Sequence, residues 1–211
     1  MINFLNEMLR HLFLTGMCED FTETSQVSFD LPDEKFRSQV KTLGKNVLNV
    51  CLVDLKENRS QAVMEAPRQS KDANVGARVT RRRVDCHYLI SAWSPATRSV
   101  EPSLDEHALL YDAMALLVEA EPLIPREIYG SKPLPRNFPV ALHDAQLPSV
   151  LSPTERFPKI GEFWSAARGV YWKPTIHLVV TLPVMTRPDR NEKNASRPHA
   201  EKFGLPVVRV M

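Results

Sequence analysis

The chain has 211 residues, a length that fits one domain with an extended tail, and 43% of them are hydrophobic. Its 27 basic and 25 acidic residues leave a formal charge of +2, too small to predict general attraction to nucleic acid or membranes. The chain has three cysteines, an odd number, at the widely spaced positions Cys18, Cys51 and Cys86. This pattern favours a reduced cytoplasmic setting over a disulfide framework.

The first predicted elements are a helix and a short strand. Apolar residues recur at three- and four-residue spacing from Ile2 to Phe13, the pattern of an amphipathic helix, and Gly16 is a stop signal. Val27–Leu31 alternates weakly and ends at Pro32, as expected of an edge strand. Polar residues interrupt the apolar helix face, which does not fit a signal peptide, and no run reaches membrane-spanning length.

Two strongly apolar stretches predict the central strands of a sheet. Val47–Leu55 is apolar on both faces, so we expect a helix to cover one face and another layer or subunit to cover the other. Val84–Trp93 alternates between two sets of side chains and is the second central strand. Residues 59–78 between them are polar and include Pro67 and Gly76, which predicts a long exposed loop.

A helix follows the second strand at Ser103–Ala120. Ser103 and Glu106 have the spacing of a capping box at its start, and Pro122 and Pro125 end it. Its predicted buried stripe consists of Leu109, Leu110, Ala113, Leu116, Leu117 and Ala120.

The remaining predicted elements are short. A proline-rich stretch surrounds a possible strand at Phe138–Leu142, and Gly161–Arg168 is predicted as a helix. Thr175–Val184 is a strand whose Pro183 lacks an amide donor, which places that end at a sheet edge or a bulge. After a polar linker, Leu205–Met211 is apolar and prone to form a strand.

Together these elements predict an α+β fold, a mixed or antiparallel sheet of about five strands with helices packed on it. We expect residues 1–186 to form the domain and residues 187–211 to be a linker followed by a C-terminal strand. That strand either folds back onto its own sheet or adds to the edge of a neighbouring subunit's sheet, and the sequence leaves both open.

The sequence carries no motif for catalysis or for a cofactor. It contains no glycine-rich phosphate loop, GxSxG, HExxH or CxxC, so we expect neither an enzyme nor a cofactor. Cys86 and His87 are adjacent in a strand and should point to opposite faces, which does not fit one shared metal ion. The acid–base candidates, which lack a nearby nucleophile, are His107 with Asp112 and His143 with Asp144.

Three parts of the sequence are candidate contacts to other subunits: the arginine run, an aromatic group and the final strand Leu205–Met211. The arginine run Arg81–Arg83, with Arg78 before it, is interpreted as a solvated strand entrance or a charged subunit contact. The aromatic group around Trp164 packs in the core or anchors an interface. The candidate interface residues are Arg78, Arg81, Arg82, Arg83, Trp164, Trp172, Leu205, Val207, Val208 and Val210.

Five segments in a fixed order carry a resemblance to a known family. They are NVLNVCLVDLKENR (46–59), RVDCHYLISAWS (83–94), EHALLYDAMALL (106–117), EPLIP (121–125) and FWSAARGVYWKPTIHLVVTLPV (163–184). Over about residues 1–186 the chain resembles the cap, or tail-terminator, proteins of extracellular contractile injection systems. These are phage-tail-like particles of the virulence-cassette and antifeeding-prophage type.

The resemblance implies a structural role as a homo-oligomeric ring, a hexamer, at the distal end of the inner tube and sheath. Its partners would be further copies of the chain, the tube protein and the sheath protein, with no nucleic acid, membrane or cofactor. Assembly would be cytoplasmic, within a particle that is released or stays cell-associated. The alternatives are an α+β module that binds a small ligand, or one that binds nucleic acid through the arginine run.

Overall fold

The computed structural model of the protein describes residues 1–58, 78–96, 101–151, 160–166 and 172–186. The described helices are α1 (Ile2–Gly16), α2 (Glu34–Leu43), α3 (Pro102–Glu119), α4 (Pro125–Tyr129) and α5 (Ile160–Ala166). The described strands are β1 (Val27–Ser28), β2 (Val47–Asn58), β3 (Arg78–Trp93), β4 (Ser149–Leu151) and β5 (Ile176–Thr186). Among these elements, no helix combines the length and apolar character needed to cross a bilayer.

The five strands form one mixed sheet in the order β1-β2-β3-β5-β4. β1 runs parallel to β2, and the other neighbouring pairs are antiparallel. The predicted α+β fold with about five strands is therefore confirmed. The short β1 lies at one edge, as expected for the Val27–Leu31 segment.

One face of the sheet carries the main hydrophobic core. Side chains alternate along β3, so Cys86, Tyr88 and Ile90 point into this core, where α1 and α3 pack. Tyr88 is fully buried, and its hydroxyl donates a hydrogen bond to Oδ1 of Asn6, 2.7 Å away. This hydrogen bond satisfies the buried phenol, which would otherwise lose its contact with water without compensation.

Helices α1 and α3 approach each other closely at Gly16. A Cβ atom at Gly16 would lie 2.5 Å from Cδ1 of Leu116, so a larger residue would displace the Leu116 side chain. The predicted end of α1 at Gly16 is confirmed, and contact with α3 adds a second reason for glycine there. The predicted inner stripe of α3 is also confirmed: Leu109, Ala113 and Leu117 are buried, and Leu110, Leu116 and Ala120 pack against the core.

The opposite face of the sheet carries a smaller cluster. Phe36 and Val40 of α2 pack there against Val47, Trp93 and Trp164. The prediction that β2 is covered on both faces is therefore confirmed at its first residues. The covering helix α2 was not expected from the sequence.

The predicted capping box at Ser103 and Glu106 is wrong. Helix α3 begins at Pro102, whose fixed φ suits the first helical position, so Ser103 already lies inside the helix. Glu106 instead accepts a hydrogen bond from the backbone N–H of Ser94 at 3.1 Å and pairs with Lys173.

The predicted strand at Phe138–Leu142 is also wrong. Val140–Leu142 forms a single 3-10 turn, and Phe138 is buried against the ring of Phe4, with 5.3 Å between ring centres. Pro139 has no amide hydrogen to offer to a sheet. The additional strand is β4, which pairs with Leu178–Val180 of β5.

The position of Pro183 in β5 agrees with the prediction of a sheet edge or a bulge at this end of the strand. Pro183 pairs with Arg83 beside a register shift in β3, and it lies beyond the residues of β5 that pair with β4. Residues 59–77, which make up nearly all of the predicted exposed loop, lie outside the described residues. Residues 187–211, the predicted linker and C-terminal strand, also lie outside them.

Candidate interaction surfaces

The arginine run belongs to β3 rather than preceding it. Pairing between β3 and β5 reaches Arg83 and resumes after the register shift at Val79 and Arg78, so the strand begins six residues before the predicted Val84. The side chain of Arg82 is 78% exposed, and its Nη1 lies 3.9 Å from Oε1 of Glu57. This end of the sheet therefore presents at least one guanidinium to solvent.

Asp85 joins the three central strands beside this arginine segment. Its carboxylate accepts hydrogen bonds from Nδ2 of Asn58, 3.0 Å from each oxygen. It also accepts one from Oγ1 of Thr181 at 2.7 Å. Charge-assisted bonds of this kind are stronger than neutral ones, so β2, β3 and β5 are fixed relative to one another here.

Two buried histidines meet on the face of the sheet opposite the main core. Nδ1 of His87 lies 3.1 Å from Nε2 of His177, and both side chains are buried. Burial, followed by repulsion from His87 and Lys56, lowers the pKa of His177 to about 4. Burial also lowers the pKa of His87. Cys86 points into the main core, so the prediction that Cys86 and His87 face opposite ways is confirmed.

Two of the three thiols are buried, and the acid–base candidates on α3 are not brought together. Burial raises the pKa of Cys51 and of Cys86 to about 11, so both thiols are protonated near neutral pH. His107 and Asp112 are five residues apart on α3, so their side chains diverge by about 140°. Across the described ranges, no three histidine, cysteine or carboxylate side chains are gathered as metal ligands.

The second acid–base pair, His143 with Asp144, is likewise separated. Nε2 of His143 lies 3.4 Å from the carbonyl oxygen of Phe138, whereas Asp144 pairs with Nε of Arg126 at 2.8 Å. These contacts tie the segment around α4 together and leave His143 and Asp144 with different partners. A groove of about 410 Å³ between α1, β1 and α2 includes Arg10 and Asp30 in its lining.

The two candidate tryptophans occupy different environments. Trp164 is only 3% exposed and packs near Trp93, which leaves it little surface for a partner. Trp172 is 65% exposed. Next to Trp172 in the sequence, Lys173 has its Nζ 4.6 Å from the ring centre of Trp93 and pairs with Glu106 of α3. The predicted interface residues Leu205, Val207, Val208 and Val210 lie outside the described residues.

Sequence reasoning missed the outward face of α3. Four large apolar side chains are exposed on this face: Leu104, Tyr111, Met114 and Val118. The inward face of the same helix is apolar as well, so α3 is apolar on two sides. The signal was the seven-residue spacing of Leu104, Tyr111 and Val118, a repeat that keeps side chains on one side of a helix. We call these four residues the outer stripe.

Comparison with solved structures identifies the fold. The sheath/tube terminator of an extracellular contractile injection system, PVC, in its extended state matches 100% of this chain at 15% identity and a TM-score of 0.54. The chain spans only 62% of that protein's length. The match to the tube-terminating cap of the anti-feeding prophage covers 89% of this chain and 55% of the cap protein, at 19% identity and a TM-score of 0.46.

A search among curated proteins found no match. The model of the Pvc16 N-terminal domain family matches residues 2–197. That range includes every strand of the sheet, both hydrophobic clusters and the exposed face of α3. Since the match extends over nearly the whole sequence, this chain belongs to the Pvc16 N-terminal domain family.

Proposed function

We propose that this chain is a structural cap that terminates the inner tube and sheath at the distal end of a contractile injection particle. The family match over residues 2–197 carries the proposal. The fold shared with a sheath/tube terminator supports it. The buried thiols of Cys51 and Cys86 also fit a role without catalysis, because burial raises their pKa to about 11 and the thiolate is the reactive form.

A cap needs to bind the open surface of the last tube or sheath ring. On its opposite side it must not present a copy of that open surface. A tube or sheath that grows by identical contacts continues as long as each new ring repeats the open surface. A different subunit that binds the last ring without repeating it ends growth. The rigid centre of this chain suits such a task, since Asp85 joins three strands and two hydrophobic clusters fix the helices.

The finer features of the proposal follow from the resemblance to caps. The chain would form a hexameric ring in the cytoplasm during assembly and would contact both tube and sheath proteins. The arginine segment of β3 and the exposed Trp172 are proposed contact regions, because exposed arginine and tryptophan are enriched at interface hot spots. The C-terminal segment 187–211 is proposed to contribute a strand to ring contacts.

The direct test is particle assembly without this chain. We expect particles made in its absence to have tubes of uncontrolled or unstable length, measured as length distributions in electron micrographs. Supplying the wild-type chain in trans should restore uniform lengths and a closed end. Particles that finish with normal, uniform length in the absence of the chain would overturn the proposed function.

A further inference from the structure

The outer stripe is an apolar surface on a helix that is already apolar on its inner face. Exposed fractions of its four side chains range from 41% for Met114 to 73% for Tyr111. Helices at the surface of a soluble domain usually carry polar residues on the outer face. Clustered large apolar side chains, unlike single ones, mark interaction sites.

A file of acidic residues runs along one side of the outer stripe. Asp105, Asp112 and Glu119 are exposed and follow the same seven-residue spacing, each directly after a residue of the stripe. The whole of Pro102–Glu119 contains no lysine or arginine. A partner for this face therefore needs basic side chains beside an apolar surface.

Helix α2 of the same chain has this character. Its exposed residues include three basic side chains, Lys35, Arg37 and Lys41, against one acidic residue, Glu34. A shallow depression of about 510 Å³ lies on the flank of α2 that carries Lys35, and it is also lined by Ser38, Gln39, Thr42 and Leu43. The methylene stems of lysines can cover apolar surface while their charges pair with carboxylates.

The two faces point in opposite directions. Helix α3 packs on the main-core face of the sheet through Leu109 and Leu117, whereas α2 packs on the other face through Phe36 and Val40. Opposite placement prevents them from meeting within one subunit. Two different surfaces on each subunit are what a head-to-tail contact uses, and such contacts form a ring when the rotation between subunits closes.

We propose that the outer stripe and acidic file of α3 dock onto the basic outer face of α2 in a second copy of this chain. The inference rests on the proposed ring and names the surfaces that close it. An antiparallel pair of α3 helices is disfavoured, since it would bring two acidic files to the same side. The docked contact would cover Tyr111 and pair Asp112 and Glu119 with lysines of α2.

Charge reversal on each face, alone and together, tests the docking. One variant of the full chain carries Asp112→Lys and Glu119→Lys, a second carries Lys35→Glu and Lys41→Glu, and a third carries all four changes. We expect each double variant to weaken ring formation at least tenfold, measured by analytical ultracentrifugation across a concentration series. The fourfold variant should regain most of the wild-type affinity, because both charge patterns are inverted together.

Controls separate docking from folding and from charge in general. Glu19→Lys with Asp20→Lys changes the same net charge at exposed positions outside both faces and should leave the ring unchanged. Circular dichroism should give the wild-type spectrum for every variant. Tyr111→Ala should weaken the ring without changing its charge.

Three results would overturn the docking. They are a wild-type chain that stays monomeric at the highest attainable concentration, a fourfold variant no better than its parents, and double variants that form normal rings. None of them decides the proposed function, which is judged by particle length in the absence of the chain.

Discussion

The contact between His87 and His177 is the most unusual side-chain pair in the described residues. Their ring nitrogens lie 3.1 Å apart, so at least one ring must be neutral to accept a hydrogen bond from the other. Lys56 adds unfavourable charge for a protonated ring, whereas Asp54 and Asp85 favour protonation of His87. Burial prevails, and it lowers the pKa of both groups.

We predict that this pair makes the domain less stable in mild acid. The pKa of His177 is about 4 in the folded chain, against 6.5 ordinarily, so the unfolded chain binds more protons as pH falls. The stabilising contribution is complete above about pH 6.5 and is lost progressively towards pH 4. The loss between pH 7 and pH 5 should be on the order of 1–2 kcal/mol.

Urea unfolding at pH 7 and pH 5 measures this effect. His177→Gln should remove much of the pH dependence, while His107→Gln on the exposed face of α3 should retain it. An equal fall in stability for wild type and His177→Gln would show that other groups cause the acid sensitivity.

Residue positions differ in how far the sequence predicts them. The opposite directions of Cys86 and His87 follow from strand alternation alone. The meeting of His87 with His177 depends on the register between β3 and β5, which pairs His87 with Val179 and Leu89 with His177. No local pattern contains that register, so this pair emerges only when distant strands are aligned.

At the scale of elements, α2 shows why a helix can go unpredicted when its hydrophobic repeat is short. Only Phe36 and Val40 are buried, so the apolar repeat is too short to stand out. The stronger signals are its ends: Asp33 accepts a hydrogen bond from the backbone N–H of Phe36 at 2.8 Å, and Gly44 has φ 68°. Long repeats such as α1 and α3 were predicted correctly, whereas β4, with three residues, has no recognisable pattern.

The cap at Asp33 should contribute measurably to stability. Asp33→Ala removes the acceptor for Phe36 and should lower the free energy of unfolding by about 1 kcal/mol. Asp33→Asn keeps a capping oxygen and should cost much less. Chemical denaturation of the wild type and the two variants measures the free energy of unfolding of each. An equal loss for the alanine and asparagine variants would contradict a capping role.

At the scale of the molecule, the sheet separates two surfaces of opposite character. Helix α3 presents carboxylates beside apolar side chains, and α2 presents lysines and an arginine on the other side. The two faces cannot reach each other within one subunit. In the proposed ring this polarity would give each contact a direction, because like faces would repel one another.

The C-terminal segment provides the last prediction at this scale. Every strand of the described sheet lies before residue 187, so we expect a chain lacking residues 204–211 to keep its fold. If the segment adds a strand to a neighbouring subunit, the truncated chain should form weaker rings while its circular dichroism spectrum and unfolding midpoint stay close to wild type. Sedimentation of both chains over a range of concentrations measures the difference. A truncated chain that fails to fold would instead assign the segment to its own core, and unchanged rings would exclude strand exchange.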